Sequence, residues 1–324
     1  MSTQEALFKL CRQKYSGENF ALELAELLSI NLDAAYRRIR GKTLLTIEEI
    51  KLVCRHFTIS FDAVMDYESK LVPFQFNAMF KDKFQIIEYL TTICNALKEM
   101  STYKDGLITM TAMDIPYFRQ FGYKSLSRFK MFFWQRSILN IEAYRHKKFD
   151  AEEEIEEFEE IVEKIFFYYH GIDSYEIWAP ETLDSTVKQV QYYKDSGLFA
   201  TPDDANKVCD SLDELLNKLE REAETGKKTL LNKQGALSSS FKMYQSDIFL
   251  SNNCIQATLG DTTYTHITFN TFNHLMTFDP KFSDECKLWV DQMRSKSVLL
   301  SEVSEKLRYQ FFVGLREKIN DLRK

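Results

Sequence analysis

Apolar residues recur every three or four positions through most of the first 65 residues, which predicts a series of short amphipathic helices. Asn19 is placed to cap one of them, and Thr46 can form a capping box with Glu49 at the start of another. Gly41 is expected to end the helix between them, because glycine adopts positive φ without strain. The pattern therefore predicts short helices over residues 1–15, 20–28, 32–40, 47–57 and 61–65.

The pattern changes after Pro73, which breaks helical continuity and marks a domain boundary. Beyond it, longer amphipathic helices are predicted over residues 77–100, 150–169, 182–194 and 203–224. Residues 225–240, rich in Gly and Ser, resemble a linker. Short β-branched and aromatic runs then predict an antiparallel meander over 247–250, 255–259, 264–269 and 274–278, and helices over 284–293 and 301–322 follow it.

The second and third short helices are joined by about three residues, which is the shape of a helix-turn-helix unit. The later helix would bury Ala35 and Ile39 and turn polar and basic side chains outward. Such side chains can hydrogen-bond base edges, contact thymine methyl groups and hold phosphates. The alternative is a solvated helix end, where cations are favoured near the last carbonyls. The candidate DNA-binding residues are Asp33, Ala34, Tyr36 and Arg37 for specificity and Arg38, Arg40, Lys42 and Thr43 for phosphates.

The residues Leu24-Ala25-Glu26 through Arg40-Gly41, followed by Thr46 to Met65, resemble the lambda-repressor/Cro-like helix-turn-helix family. The resemblance covers about the first 70 residues. It implies a DNA-binding transcriptional regulator in which residues 32–40 form the recognition helix that lies in the major groove. The chain departs from the family pattern at Ser29, where a turn glycine is common, and at Asp33, which places a negative charge near the phosphates.

Together these elements predict a mainly α protein with a C-terminal α+β part. We expect a helix-turn-helix domain over residues 1–72 and a helical middle region over 73–232. Residues 233–324 are expected to form an α+β sensor or dimerisation module, in which a small antiparallel sheet is packed by the C-terminal helices. The chain has 324 residues, enough for two or three domains that each have a sizeable core.

Charge and cysteine usage restrict the function classes. The net charge of −6 is not that of a nucleic-acid binder overall, so any affinity for DNA must be local to the basic helix. The six cysteines are scattered without a Cys-x-x-Cys pair, so we expect neither a zinc site nor disulfides, and a reducing cytoplasm. The N-terminus lacks the apolar core of a signal peptide, and no apolar run reaches the length of a membrane span.

An aromatic-rich segment over residues 108–149 contains interleaved Arg and Lys and has three interpretations. The aromatic side chains can form part of the core while the Arg and Lys side chains extend into solvent. They can instead form the walls of a pocket for a small effector, or a surface on which single-stranded bases stack. His266 and His274 could meet across neighbouring strands and bind a metal, although two histidines are a weak signal. No phosphate loop, zinc-protease motif or nucleophile elbow is present, so we expect no enzyme, cofactor or metal site.

The sequence therefore favours a cytoplasmic transcriptional regulator that binds double-stranded DNA and no membrane. One helix-turn-helix domain would bury too little surface against DNA to select one site in a genome. We therefore expect a homodimer that binds two half-sites. A small molecule or a protein would act as effector on the rest of the chain. The alternative is a protein-interaction adaptor with a degenerate helix-turn-helix, which Ser29, Asp33 and the acidic body favour.

Overall fold

Two units make up the computed structural model, one over Met1–Phe74 and one over Gln75–Lys324. We call them the N-terminal unit and the body. The structure describes residues 2–15, 17, 19–64, 72–78, 86–232, 235–248, 253–269 and 271–324. Within these residues, no helix is long and apolar enough to cross a membrane.

The N-terminal unit is helical, and each α-helix begins at a residue whose side chain caps it. Ser2, Asn19, Asn31 and Thr46 each accept a hydrogen bond from a backbone N–H in the first turn. The expected helices up to residue 57 are confirmed, whereas the last is a 3₁₀ turn over Phe61–Val64 and its expected end at Met65 lies outside the described residues. The helices are α1 (Thr3–Lys14), α2 (Phe20–Leu27), α3 (Leu32–Ile39) and α4 (Ile47–His56).

The body contains the remaining α-helices, several of which agree with the helical periodicity of the sequence. For the helix expected over 77–100, residues 79–85 lie outside the described residues, and the helix is seen from Ile86 onward. The short α6 and α7 lie in the aromatic-rich segment. The helices are α5 (Ile86–Met100), α6 (Tyr117–Gln120), α7 (Lys124–Phe133), α8 (Glu156–His170), α9 (Asp184–Asp195), α10 (Pro202–Thr225), α11 (Pro280–Ser295) and α12 (Glu305–Arg323).

The strands of the body that the structure describes form an eight-stranded mixed sheet, in the order β3-β4-β2-β1-β5-β6-β7, with β8 paired to β4. β2 is parallel to both β1 and β4, whereas the other pairs of neighbouring strands named here are antiparallel. The strands are β1 (Leu107–Ala112), β2 (Asp173–Trp178), β3 (Lys227–Asn232), β4 (Gly235–Gln245), β5 (Cys254–Leu259), β6 (Thr262–Phe269), β7 (Asn273–Thr277) and β8 (Val298–Leu299). The body is thus of the α+β class.

The sheet differs from the expected small antiparallel one in extent and in direction. β5, β6 and β7 confirm three runs of the meander, but β1 and β2 come from the region expected to be helical, and β3 and β4 occupy the expected linker. β1 is six residues long and mostly apolar, and periodicity alone does not distinguish so short a run from part of a helix. The strand expected over 247–250 is wrong for 247–248, which follow the end of β4, and 249–250 lie outside the described residues.

The aromatic-rich segment belongs to the core of the body. Phe118, Phe129 and Trp134 are buried, and the ring of Phe129 packs against those of Phe149 and Tyr193. These buried rings offer no exposed face on which bases could stack. The expectation that the basic side chains extend into solvent is wrong for three of them, because each is buried and ion-paired: Arg119, Arg128 and Lys130.

Candidate functional site

The orientation of α3 is fixed at both of its ends. Asn31 caps it by accepting a hydrogen bond from the Ala34 N–H at 2.8 Å. Ala35 is fully buried in the core of the N-terminal unit. After the helix, Gly41 has a φ of +71°, which brings the N–H of Lys42 to the Arg37 carbonyl at 2.8 Å. One side of α3 is thus held against the core, and the opposite side is exposed.

Four of the candidate DNA-binding residues share that exposed side. Asp33, Tyr36, Arg37 and Arg40 stand at i, i+3, i+4 and i+7, which is one face of a helix, and all four are exposed. We call these four residues the α3 outer face. Lys42 is also exposed, whereas Ala34, Arg38 and Thr43 are half-buried.

The charged groups of the α3 outer face contact one another. The Arg37 Nε lies 2.9 Å from the Asp33 carboxylate, and both side chains are mostly exposed, 63% and 73%. Such an exposed pair is worth only about 0.3–0.5 kcal/mol, so a stronger acceptor could displace Asp33. The Arg40 guanidinium lies 5.6 Å from the centre of the Tyr36 ring, within the range of a cation–π contact. The face therefore presents two guanidinium groups in defined positions.

Arg38 differs from the neighbouring cations because it is half-buried and ion-paired within the N-terminal unit. Its guanidinium lies 2.7 Å from the Glu49 carboxylate on α4, and the two side chains are only 15% and 17% exposed. Burial raises the pKa of Glu49, but the hydrogen bonds from Arg38 and from the Thr46 backbone, with the Arg38 charge, outweigh it and hold that pKa below its usual value. Arg38 thus connects α3 with α4.

Gln4 on α1 is a residue that the sequence reasoning missed. Its Nε2 donates to the carbonyls of Arg38 at 2.7 Å and Thr43 at 2.9 Å, and its Oε1 accepts from the Leu45 N–H at 2.8 Å. The side chain thereby holds the segment between α3 and α4, which carries Lys42. No local pattern marks this role, since the partners lie at least 34 residues away along the chain.

The body contains a buried cluster of charged side chains between its helices and sheet. Arg119 hydrogen-bonds Glu176 on β2 at 2.7 Å and also pairs with Glu222 on α10. Near them, the Lys228 Nζ donates to the Tyr169 carbonyl at 2.9 Å and lies 3.7 Å from the centre of the Tyr169 ring. Burial, assisted by the Arg119 charge, lowers the pKa of Lys228 to about 7. All of these charged groups are at most 3% exposed, so the cluster is not accessible to a ligand from solvent.

His266 and His274 do approach each other across β6 and β7, as the sequence suggested. Their ring centroids are 6.0 Å apart, at nearly perpendicular planes. Burial lowers the pKa of His274 to about 3 and that of His266 to about 4, so both rings are neutral at physiological pH. No third candidate joins them: within the residues that the structure describes, no group of three or more His, Cys, Asp or Glu could hold a metal ion.

No model of a known protein family matches this chain, and no curated protein or solved structure is detectably similar to it.

Proposed function

We propose that this protein is a sequence-specific DNA-binding transcriptional regulator whose N-terminal unit docks the α3 outer face in the major groove. The observation that carries the proposal is that Tyr36, Arg37 and Arg40 occupy one exposed helical face, opposite the buried Ala35. A helix fits the major groove of B-DNA, and arginine is the commonest reader of guanine there. α2 and α3 are separated by four residues, which suits the helix-turn-helix arrangement of the lambda-repressor/Cro-like family that this segment resembles.

The residues divide into three roles under this proposal. Arg37 would exchange its exposed bond to Asp33 for bidentate contacts to guanine, and Tyr36 would contact a thymine methyl group. Arg40, Lys42 and Thr43 would hold phosphates. Arg38 is given a positioning role, since its guanidinium is engaged by Glu49. A homodimer would read two half-sites about one helical turn apart, and the body would respond to an effector.

The test is selection of bound fragments from sheared genomic DNA by the purified full chain, at two salt concentrations. We expect enrichment of a pseudo-palindrome that Arg37→Ala loses, with affinity for the selected site reduced by about 5- to 150-fold. Arg55→Ala is the matched control, because it removes another exposed arginine, from α4 and outside the α3 outer face. Lys42→Ala should weaken binding to all sequences. It should also make the slope of log affinity against log salt concentration shallower by about one. A folded wild-type protein that enriches no sequence would contradict the proposal.

A protein-interaction adaptor is the second candidate, and two observations favour it. Leu44 and Ile47, between α3 and the first turn of α4, are 75% and 82% exposed, and apolar side chains of this kind can contact a protein partner. Asp33 also partly neutralises the basic face. A steep loss of DNA binding between low and high salt favours the regulator, whereas salt-independent capture of a protein with no DNA binding favours the adaptor.

A further inference from the structure

The α3 outer face carries one acidic residue beside its two arginines. Asp33 lies in the first turn of α3, and its side chain is 73% exposed. A carboxylate at a DNA interface is repelled by the phosphates, and it loses its hydration when the helix docks. Asp33 therefore opposes binding to any sequence in which it finds no hydrogen-bond donor.

Arg37 fixes the place of this carboxylate in a complex with DNA. The Arg37 Nε lies 2.9 Å from the Asp33 Oδ2, one helical turn away along α3. The ends of the two side chains thus meet at one point of the exposed face. When Arg37 exchanges this ion pair for guanine, as proposed above, Asp33 is left beside it and needs a donor adjacent to that guanine.

The four bases differ in what they offer to a carboxylate in the major groove. Guanine presents two acceptors, thymine presents one, and the amino group of adenine stands beside the acceptor N7. Cytosine presents the N4 amino donor and no acceptor of its own. In a G·C pair this amino group bonds the guanine O6, and its second N–H points into the groove. A carboxylate beside an arginine that binds guanine therefore finds its donor on the partner base of the same pair.

We infer that Asp33 and Arg37 together read one G·C base pair of the recognised site. Arg37 donates to the guanine, and Asp33 accepts from the N4 amino group of the paired cytosine. Each of the other three base-pair orientations puts an acceptor of the second base beside the carboxylate, so Asp33 also rejects the wrong sequences. The inference rests on the proposed function and deepens it by naming the base pair.

The first test repeats the genomic selection with Asp33→Ala in the full chain. We expect Arg37→Ala and Asp33→Ala to lose their preference at the same base pair, which is G·C in the site of the wild type. Asp33→Ala should at the same time bind non-specific DNA more tightly at low salt, because it removes a negative charge from the interface. Specificity and general affinity thus change in opposite directions.

Glu48→Ala is the matched control for this substitution. Glu48 is an exposed acidic residue in the first turn of α4, it pairs with Lys51 one turn later, and it lies outside the α3 outer face. This variant should keep the base preference of the wild type. An acidic residue in a first turn can also act only by stabilising its helix. In that case Asp33→Ala would weaken binding to all sequences by the same factor, which would overturn the inference.

The second test probes the hydrogen bond itself with a modified base. A synthetic copy of the selected site carries N4-methylcytosine opposite the guanine, which keeps the base pair but replaces the N–H that faces the groove with a methyl group. In fluorescence anisotropy titrations, the wild type should bind this site at least about fivefold more weakly than the unmodified one. Asp33→Ala has no such bond to lose, so its affinity should change less than about twofold.

The outcomes separate this inference from the proposed function. An equal loss on N4-methylcytosine for both proteins would overturn the inference alone. So would a loss of preference at different base pairs in Arg37→Ala and Asp33→Ala, because the protein would still select a sequence. A folded wild-type protein that enriches no sequence would overturn both.

Discussion

At the scale of single residues, Gln4 shows how one side chain can fix a loop. Its three hydrogen bonds reach Arg38, Thr43 and Leu45. Gln4→Ala would leave these half-buried backbone groups without partners, so we expect a loss of about 1–3 kcal/mol in the free energy of unfolding of the N-terminal unit. Gln13→Ala is the control, because Gln13 is exposed on the same helix. Urea denaturation followed by circular dichroism measures both, and equal losses would contradict the assigned role.

Lys228 gives the folded state a pH dependence of its own. Its pKa is about 7 in the folded protein, against an ordinary value of 10.5, because burial disfavours the ammonium. Between these values the unfolded chain binds more protons, so this lysine makes the free energy of unfolding rise as pH increases from about 7 to 10.5. In urea denaturation across this pH range, the free energy of unfolding should rise less for Lys228→Met than for the wild type. Lys296→Met, which removes an exposed ammonium, should keep the wild-type slope.

At the scale of elements, close packing between helices depends on a glycine. Gly122 lies between α6 and α7, and a Cβ at this position would overlap the ring of Phe166 on α8. Because Phe166 is itself buried, the ring has little space to move.

Gly122→Ala is therefore expected to destabilise the body by about 1–3 kcal/mol. Gly314→Ala is the matched control, since Gly314 lies inside α12 and a Cβ there would meet no atom within 4 Å. That substitution should stabilise the helix by about 0.5–1 kcal/mol, because alanine loses less conformational entropy than glycine. Thermal unfolding monitored by circular dichroism distinguishes the two variants. Changes of the same sign in their unfolding midpoints would be inconsistent with this packing.

At the scale of the whole molecule, the buried charge cluster joins elements that are distant in sequence. Arg119 on α6 pairs with both Glu176 on β2 and Glu222 on α10. Arg119→Met would remove the ion-pair partner of the buried Glu176 and one of the cations paired with Glu222, which keeps Lys218 at 3.0 Å, and we expect a loss of about 3–5 kcal/mol in the free energy of unfolding. Arg316→Met removes a pair with Glu220 in which both side chains are more than a quarter exposed, and should cost less than about 1 kcal/mol. Comparable losses for the two variants would show that the cluster is not a stabilising centre.

The sequence by itself determined the elements that depend on near neighbours. Helix caps such as Asn31 and the capping box of Thr46 act within three residues, so α3 and α4 were predicted close to their observed bounds. The alternating runs of β5, β6 and β7 were recognisable because their turns are short. The candidate DNA-binding residues came from the same local pattern, and four of them share the exposed face that helical periodicity requires.

Only the tertiary structure decided which polar residues are buried and what satisfies them. Arg119 meets partners 57 and 103 residues away, and Gln4 and Arg38 are likewise engaged by distant groups. The parallel pairing of β1 with β2 requires a long crossover, so no short turn signals it. Periodicity shows which side of a helix or strand is apolar. Which residues that side contacts across the core depends on the tertiary fold of the whole chain.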